Sequence, residues 1–221
     1  MLRAVPTKSG TGIQFWGGYE DLFAMYQTLM KLTGEEETMY DDREARDIII
    51  YSFMHELRAA YSGKLDEKSS VNFQGDLEGF YGFRFSYIDL IFLIASLRYN
   101  ASYAVLDSFD QENLGTLETL MKAAMMSYDE IGTNAILPFL KPGAIDAAHP
   151  LLMQFNQQLA IDFYQKKSGI TRFRNIPDML LQTVEFHPSY YAFHSRLYAM
   201  AMEAGCPINQ LDSVEYQNIK W

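Results

Sequence analysis

The sequence predicts a helix-dominated α+β fold, with five or six helices packed as an orthogonal bundle beside a small antiparallel sheet of short strands. Three observations predict it. Apolar residues recur at three- and four-residue spacing over most of the chain. Strict alternation is confined to short runs such as Tyr81, Phe83 and Phe85. No stretch rich in Pro, Gly or Ser is long enough to act as a linker. Residues 1–221 therefore read as one globular domain, a size that buries about 70% of the unfolded chain's surface without disulfides or metals.

The elements follow in order. Residues 2–5 and 12–16 read as two short strands joined by the turn-rich segment from Pro6 to Thr11, and Gly17-Gly18 ends the second. A first helix over 19–33 carries Leu22, Met25, Tyr26, Leu29 and Leu32 on one stripe. The acidic stretch Glu35–Asp47 leads into a second helix over 42–62, with Ala45, Ile49, Phe53, Leu57 and Ala60 inward. Residues 64–79 are polar and read as a long loop or irregular hairpin, Val71 and Phe73 offering a partner for the Tyr81–Phe85 strand.

A third helix over 87–106 is apolar nearly all round, as a helix in the middle of a bundle must be. The fourth, over 109–128, repeats Leu114, Leu117, Leu120, Met121, Ala124, Met125 and Tyr128. A Gly/Pro-punctuated connection over 129–148 precedes a fifth helix from Pro150 to Lys167, which Ser168-Gly169 closes. A short helix at Pro177, a long one from Pro188 to Ala204 and a strand over Val214–Trp221 complete the prediction.

Composition bounds function. Eighteen basic against 28 acidic residues leave a formal net charge of −10, which disfavours nucleic acid and anionic membrane surfaces as partners. The lone Cys206 excludes an internal disulfide framework and any multi-cysteine metal site. The most apolar run, Ile88–Leu97, is half the roughly 20 residues a membrane span needs. The opening residues Met1–Pro6 lack the apolar core of a signal peptide, so a cytoplasmic location is expected.

Most catalytic templates fail on a specific residue. The glycines of Ser9–Gly18 miss the dinucleotide pattern at Phe15, and Gly18-Tyr19 stands where a phosphate loop requires Lys-Ser/Thr. A hairpin turn is the better reading. His55-Glu56 has Ala59 where a zinc-protease helix needs its second histidine. Ser86 and Asp89 have capping-box spacing, which accounts for a carboxylate inside an apolar helix better than a catalytic acid does. Serine-hydrolase patterns are absent, although Lys-Ser-Gly occurs at both 8–10 and 167–169.

Three further clusters carry functional expectations. His194 shares the inward stripe of Tyr190, Leu197 and Ala201, with His187 two turns earlier and Glu185 beside it. A general-base or metal site built on these three is the enzyme reading, and a satisfied core histidine the ordinary one. Lys166, Lys167, Arg172 and Arg174 surround Phe173 in an acidic chain, a grouping suited to an anion or an acidic partner. Twelve methionines, among them Met121, Met125, Met126, Met200 and Met202, suit an adaptable apolar pocket or interface as well as a core.

The segment Thr11-Gly12-Ile13-Gln14-Phe15-Trp16-Gly17-Gly18-Tyr19-Glu20-Asp21-Leu22 resembles the start of an uncharacterised bacterial domain family of unknown function. The resemblance implies a bacterial source and no activity, and no functional residue is carried over from it. The favoured expectation is a non-enzymatic protein that binds a protein partner, as a homo-oligomer or otherwise, or a small apolar ligand. No cofactor or metal is expected under that reading. The alternative is an enzyme with the His194, Glu185 and His187 site.

Overall fold

A computed structural model of the chain describes residues 1–33, 45–71, 77–211 and 219–221. Strands β1 (Arg3–Pro6), β2 (Gly12–Gly17), β3 (Asp66–Val71) and β4 (Leu77–Ser86) form one antiparallel sheet in the order β1-β2-β4-β3. The register sets Phe15 opposite Phe83 and Ile13 opposite Phe85. All four side chains are buried, on the sheet face that packs on a helix. Phe53 of α2 (Ala45–Tyr61) meets Phe15, Phe83 and Phe85 edge-on at 5.0–5.8 Å, the arrangement aromatic quadrupoles favour. On the opposite face, Trp16 covers Gly82, where a β-carbon would come within 2.7 Å of the indole.

The first helix, α1 (Tyr19–Thr33), follows its predicted bounds. The all-round apolar segment is α3 (Tyr87–Ala101), which is buried over nearly its whole length and crosses the middle of the fold. It ends five residues before the predicted 106. Asp107 must be extended to cap α4 (Ser108–Tyr128) through a reciprocal capping box with Asp110, and that geometry excludes a helical lead-in.

The fifth predicted helix is α6 (Leu152–Gln165), two residues shorter at each end than expected. The Leu151 N–H is taken by His149 Nδ1 rather than by a helical carbonyl, and Lys166 is extended. The last long helix, α9 (Pro188–Ala204), has its predicted limits, with left-handed Gly205 as its stop.

Three short helices occupy segments read from sequence as connections, or as one short helix: α5 (Glu130–Ile136), α7 (Ile170–Arg174) and α8 (Ile176–Leu180). Five to seven residues complete too few turns to display a 3.6-residue period. The predicted hairpin over 64–79 is β3–β4, with Val71 in β3 and Phe73 outside the described residues. Most of the acidic stretch and most of the predicted C-terminal strand also lie outside them, and residues 219–221 are not in a strand. The buried apolar residues form one contiguous core that spans sheet and helices.

Candidate functional site

The β1–β2 hairpin, the start of α3 and the α6–α7 connection meet at one end of the sheet. The glycine-rich loop is a compact turn. Thr7 Oγ1 accepts the N–H groups of Thr11 (3.0 Å) and Gly12 (3.1 Å), and Thr7 C=O accepts that of Gly10 (3.0 Å). Gly10 is left-handed (φ 64°), and the Tyr128 hydroxyl sits where its side chain would be. Beneath the turn, Tyr87, Tyr128 and Phe173 form an aromatic cluster with ring centroids 4.8–6.2 Å apart.

Helix α7 carries Arg172 into this junction. Its guanidinium lies 4.4 Å from the centroid of the Phe163 ring, and the residue is only 4% exposed. Nη2 donates to Thr11 Oγ1 (2.5 Å) and to the Ser9 carbonyl (3.1 Å). Nε is buried and has no partner among the described residues, and no described carboxylate lies within ion-pair distance. Burial pulls the guanidinium's pKa below its ordinary value. A buried cation without a counter-charge is costly, and such groups are ordinarily paired.

Above it opens a cleft of about 1000 Å³, with Arg172, Arg174, Lys166, Lys167 and Lys8 on its walls and Tyr128 and Ile170 as its apolar side. Among the described residues no carboxylate lines it. The four sequence-predicted cations thus share one cleft, but their situations differ. Arg174 is neutralised by Asp129 through two hydrogen bonds of 2.8 and 2.6 Å. That pairing holds the Asp129 carboxyl below its usual range while Asp129 also caps α5. Lys8, Lys166 and Lys167 are exposed and make no ion pair among the described residues. Lys8 lies outside the predicted cluster, and the Lys-Ser-Gly sequence that it shares with Lys167 is the signal that could have found it.

The histidine candidates are arranged differently. His187 caps α9, its Nδ1 accepting the Ser189 N–H at 3.3 Å. His194 is partly exposed and stacks on Tyr190 with centroids 5.9 Å apart. Neither shares a hydrogen bond with the other or with Glu185 among the described residues. The partner of Tyr190 is instead His149, whose Nε2 lies 3.3 Å from the Tyr190 hydroxyl. Burial lowers the His149 pKa, with Asp146 and Glu185 opposing the effect and His194 adding to it. Among the described residues no three His, Cys, Asp or Glu side chains are grouped to share a metal ion.

Asp89 is deeply set, though still partly accessible. It receives hydrogen bonds from Ser86, Asn156 (3.0 Å) and Tyr164 (3.2 Å), while Ser86 Oγ accepts the Asp89 N–H. Only this half of the predicted capping box is present, because the carboxylate turns to side-chain donors. Met121 and Met125 are core residues, whereas Met126 and Met202 are exposed. Cys206 is a free thiol, half-buried against the core.

A family model described as a domain of unknown function, DUF6904, matches residues 2–221. The chain belongs to that family. No curated protein and no solved structure matches it. The expected membership in an uncharacterised family is therefore met, and the match spans both the DUF6904 hairpin and the α6–α7 basic loop that build the cleft. No helix among the described residues is long and apolar enough to cross a membrane.

Proposed function

We propose that this DUF6904 protein is a non-enzymatic binding protein that holds an anionic ligand in the cleft above α7. The observation that carries the reading is Arg172, buried at 4% exposure with no described carboxylate beside it. An anion in the cleft supplies the counter-charge that the described residues do not provide there, and Lys166 and Lys167 add charge at its rim. The local excess of cations is notable against a net charge of −10, because the surrounding negative field keeps unspecific polyanions away.

Isothermal titration of inorganic phosphate at low ionic strength tests this. The wild type should bind, and the exposed pair Lys166→Glu with Lys167→Glu should lose binding while keeping its folded spectrum. A wild type that binds neither phosphate nor sulfate overturns the proposal. Arg172→Glu is a poor probe, since it buries a carboxylate among Phe163, Thr11 and the Ser9 carbonyl.

A second reading, a protein partner or a second copy of the chain, is favoured by the outer face of α9. Tyr191, Tyr198 and Met202 are exposed there at helical spacing, and Phe186, just before the helix, is 84% exposed with a left-handed backbone (φ 66°). Native mass spectrometry of the wild type and of Tyr198→Lys tests it. A multimer that Tyr198→Lys dissociates supports this reading, and a monomer in both argues against a second copy.

A further inference from the structure

Resting on the anion-binding reading, we infer that the cleft takes a ligand with two adjacent anionic groups, of the diphosphate class, gripped between two copies of one short sequence. Lys8-Ser9-Gly10 and Lys167-Ser168-Gly169 lie far apart in the chain, yet the fold brings them together. The Gly169 N–H donates to the Ser9 carbonyl at 3.2 Å, and Arg172 Nη2 donates to the same carbonyl at 3.1 Å. Each segment ends on a glycine with positive φ, 64° at Gly10 and 122° at Gly169, and the lysine of each lines the cleft.

Arg172 is thus the joint of the pair. Its Nη2 is committed to the hairpin and its Nε is sealed among neighbours. Nη1 has no hydrogen-bond partner among the described residues and is not sealed as Nε is, and Arg172 lines the cleft, so Nη1 is the donor assigned to the ligand. Lys8 approaches from the hairpin, and Lys166 and Lys167 approach from the end of α6.

The number and placement of these cations select the ligand. A single phosphate on Arg172 is matched by the lysines of the α6–α7 connection alone. Lys8, exposed on the other segment, lines the same cleft but is left unused by a single phosphate seated on the α6–α7 side. A second anionic group linked to the first engages Lys8 as well, adding a charge-assisted hydrogen bond from the opposite wall. The same pair of phosphoryl groups occurs in inorganic diphosphate and in diphosphate esters of organic alcohols, and Tyr128 and Ile170 offer an apolar wall to the organic part of an ester.

Titration calorimetry of the full chain, in metal-free low-salt buffer, compares orthophosphate, pyrophosphate and adenosine diphosphate. Pyrophosphate should bind about tenfold or more tightly than orthophosphate. Lys8→Ala, at an exposed turn position, should bring that ratio close to one. Adenosine diphosphate tighter than pyrophosphate identifies an ester as the ligand, and the reverse order identifies the free diphosphate; either supports the clamp. Equal affinities for orthophosphate and pyrophosphate overturn the clamp, as does a preference that survives Lys8→Ala. The anion site itself still stands in those cases, provided the Lys166→Glu, Lys167→Glu protein loses orthophosphate. Absence of binding by the wild type to all three overturns the underlying reading as well.

Discussion

The Tyr164 hydroxyl donates a 3.2 Å hydrogen bond to the Asp89 carboxylate, fastening the last turn of α6 to the first turn of α3. Asn156, two turns earlier on α6, adds a 3.0 Å bond to the other carboxylate oxygen. One acid therefore holds two long helices in register behind the Arg172 junction. Burial raises the Asp89 pKa above its ordinary 3.8, and the bonds from Ser86, Asn156 and Tyr164 partly offset that rise.

A buried acid with a raised pKa keeps its proton better in the folded chain than in the unfolded one. Its effect on stability is therefore most favourable at low pH and is lost as pH rises through the folded value. Asp89→Asn keeps an acceptor for Asn156 and removes the charge, so its stability relative to wild type should improve as pH rises from 4 to 7. Asp89→Leu instead removes the acceptor of the Asn156 amide, at a cost of about 1–3 kcal/mol. Urea denaturation across that range checks both. A parallel pH dependence for wild type and Asp89→Asn would show that the carboxyl does not titrate differently on folding.

The two roles of Asp129 should separate experimentally. Asp129 accepts the Gly132 N–H at 2.7 Å as the cap of α5 and also receives Arg174. Asp129→Ala removes both roles and should cost about 1 kcal/mol or somewhat more through the cap alone. Arg174→Ala removes only the exposed pair, with a smaller effect. Thermal melts of the two variants give the order. An Arg174→Ala protein less stable than Asp129→Ala would mean that the cap contributes little.

Residue patterns carry the long elements well and the junction poorly. The stripes of α1 and α4 and the proline and glycine that bracket α9 are local signals, and all three helices have the expected positions. Arg172 shows the limit. An arginine between Thr171 and Phe173 reads as solvated, because nothing local reports that Phe163, Ser9 and Thr11 converge on it from distant segments. Proximity in the sequence groups it with Lys166, Lys167 and Arg174, whereas the fold makes one buried, one ion-paired and two without an ion pair among the described residues. His149 is a similar case: it precedes Pro150 in the sequence, and nothing local reports that α9 brings Tyr190 against it.

Gly82 tests the packing of the sheet's outer face. A β-carbon there would lie 2.7 Å from the Trp16 ring, and the indole stands on the central strand pair β2–β4. Gly82→Ala should push the ring off the sheet and cost about 1–3 kcal/mol, the usual penalty of overpacking. Trp16 fluorescence should shift in the same variant. Stability equal to wild type would mean that the ring moves aside freely.

His149 sets a pH dependence of the opposite sign to that of Asp89. Its Nδ1 accepts the Leu151 N–H at 3.0 Å, so the neutral ring carries its proton on Nε2, facing the Tyr190 hydroxyl. Protonating Nδ1 breaks the first bond, and burial, reinforced by His194, holds the pKa below 6.5 although Asp146 and Glu185 pull it upward. Below 6.5 the unfolded chain takes up the proton more readily than the folded one. The contribution is therefore fully present above that value and is lost as pH falls toward the folded pKa. His149→Asn retains an acceptor for the Leu151 N–H and does not titrate. Denaturation at pH 7.5 and 5.5 should find the variant's stability relative to wild type higher at the lower pH. An equal difference at both values would place the folded His149 pKa at that of the unfolded chain and remove burial as the governing effect.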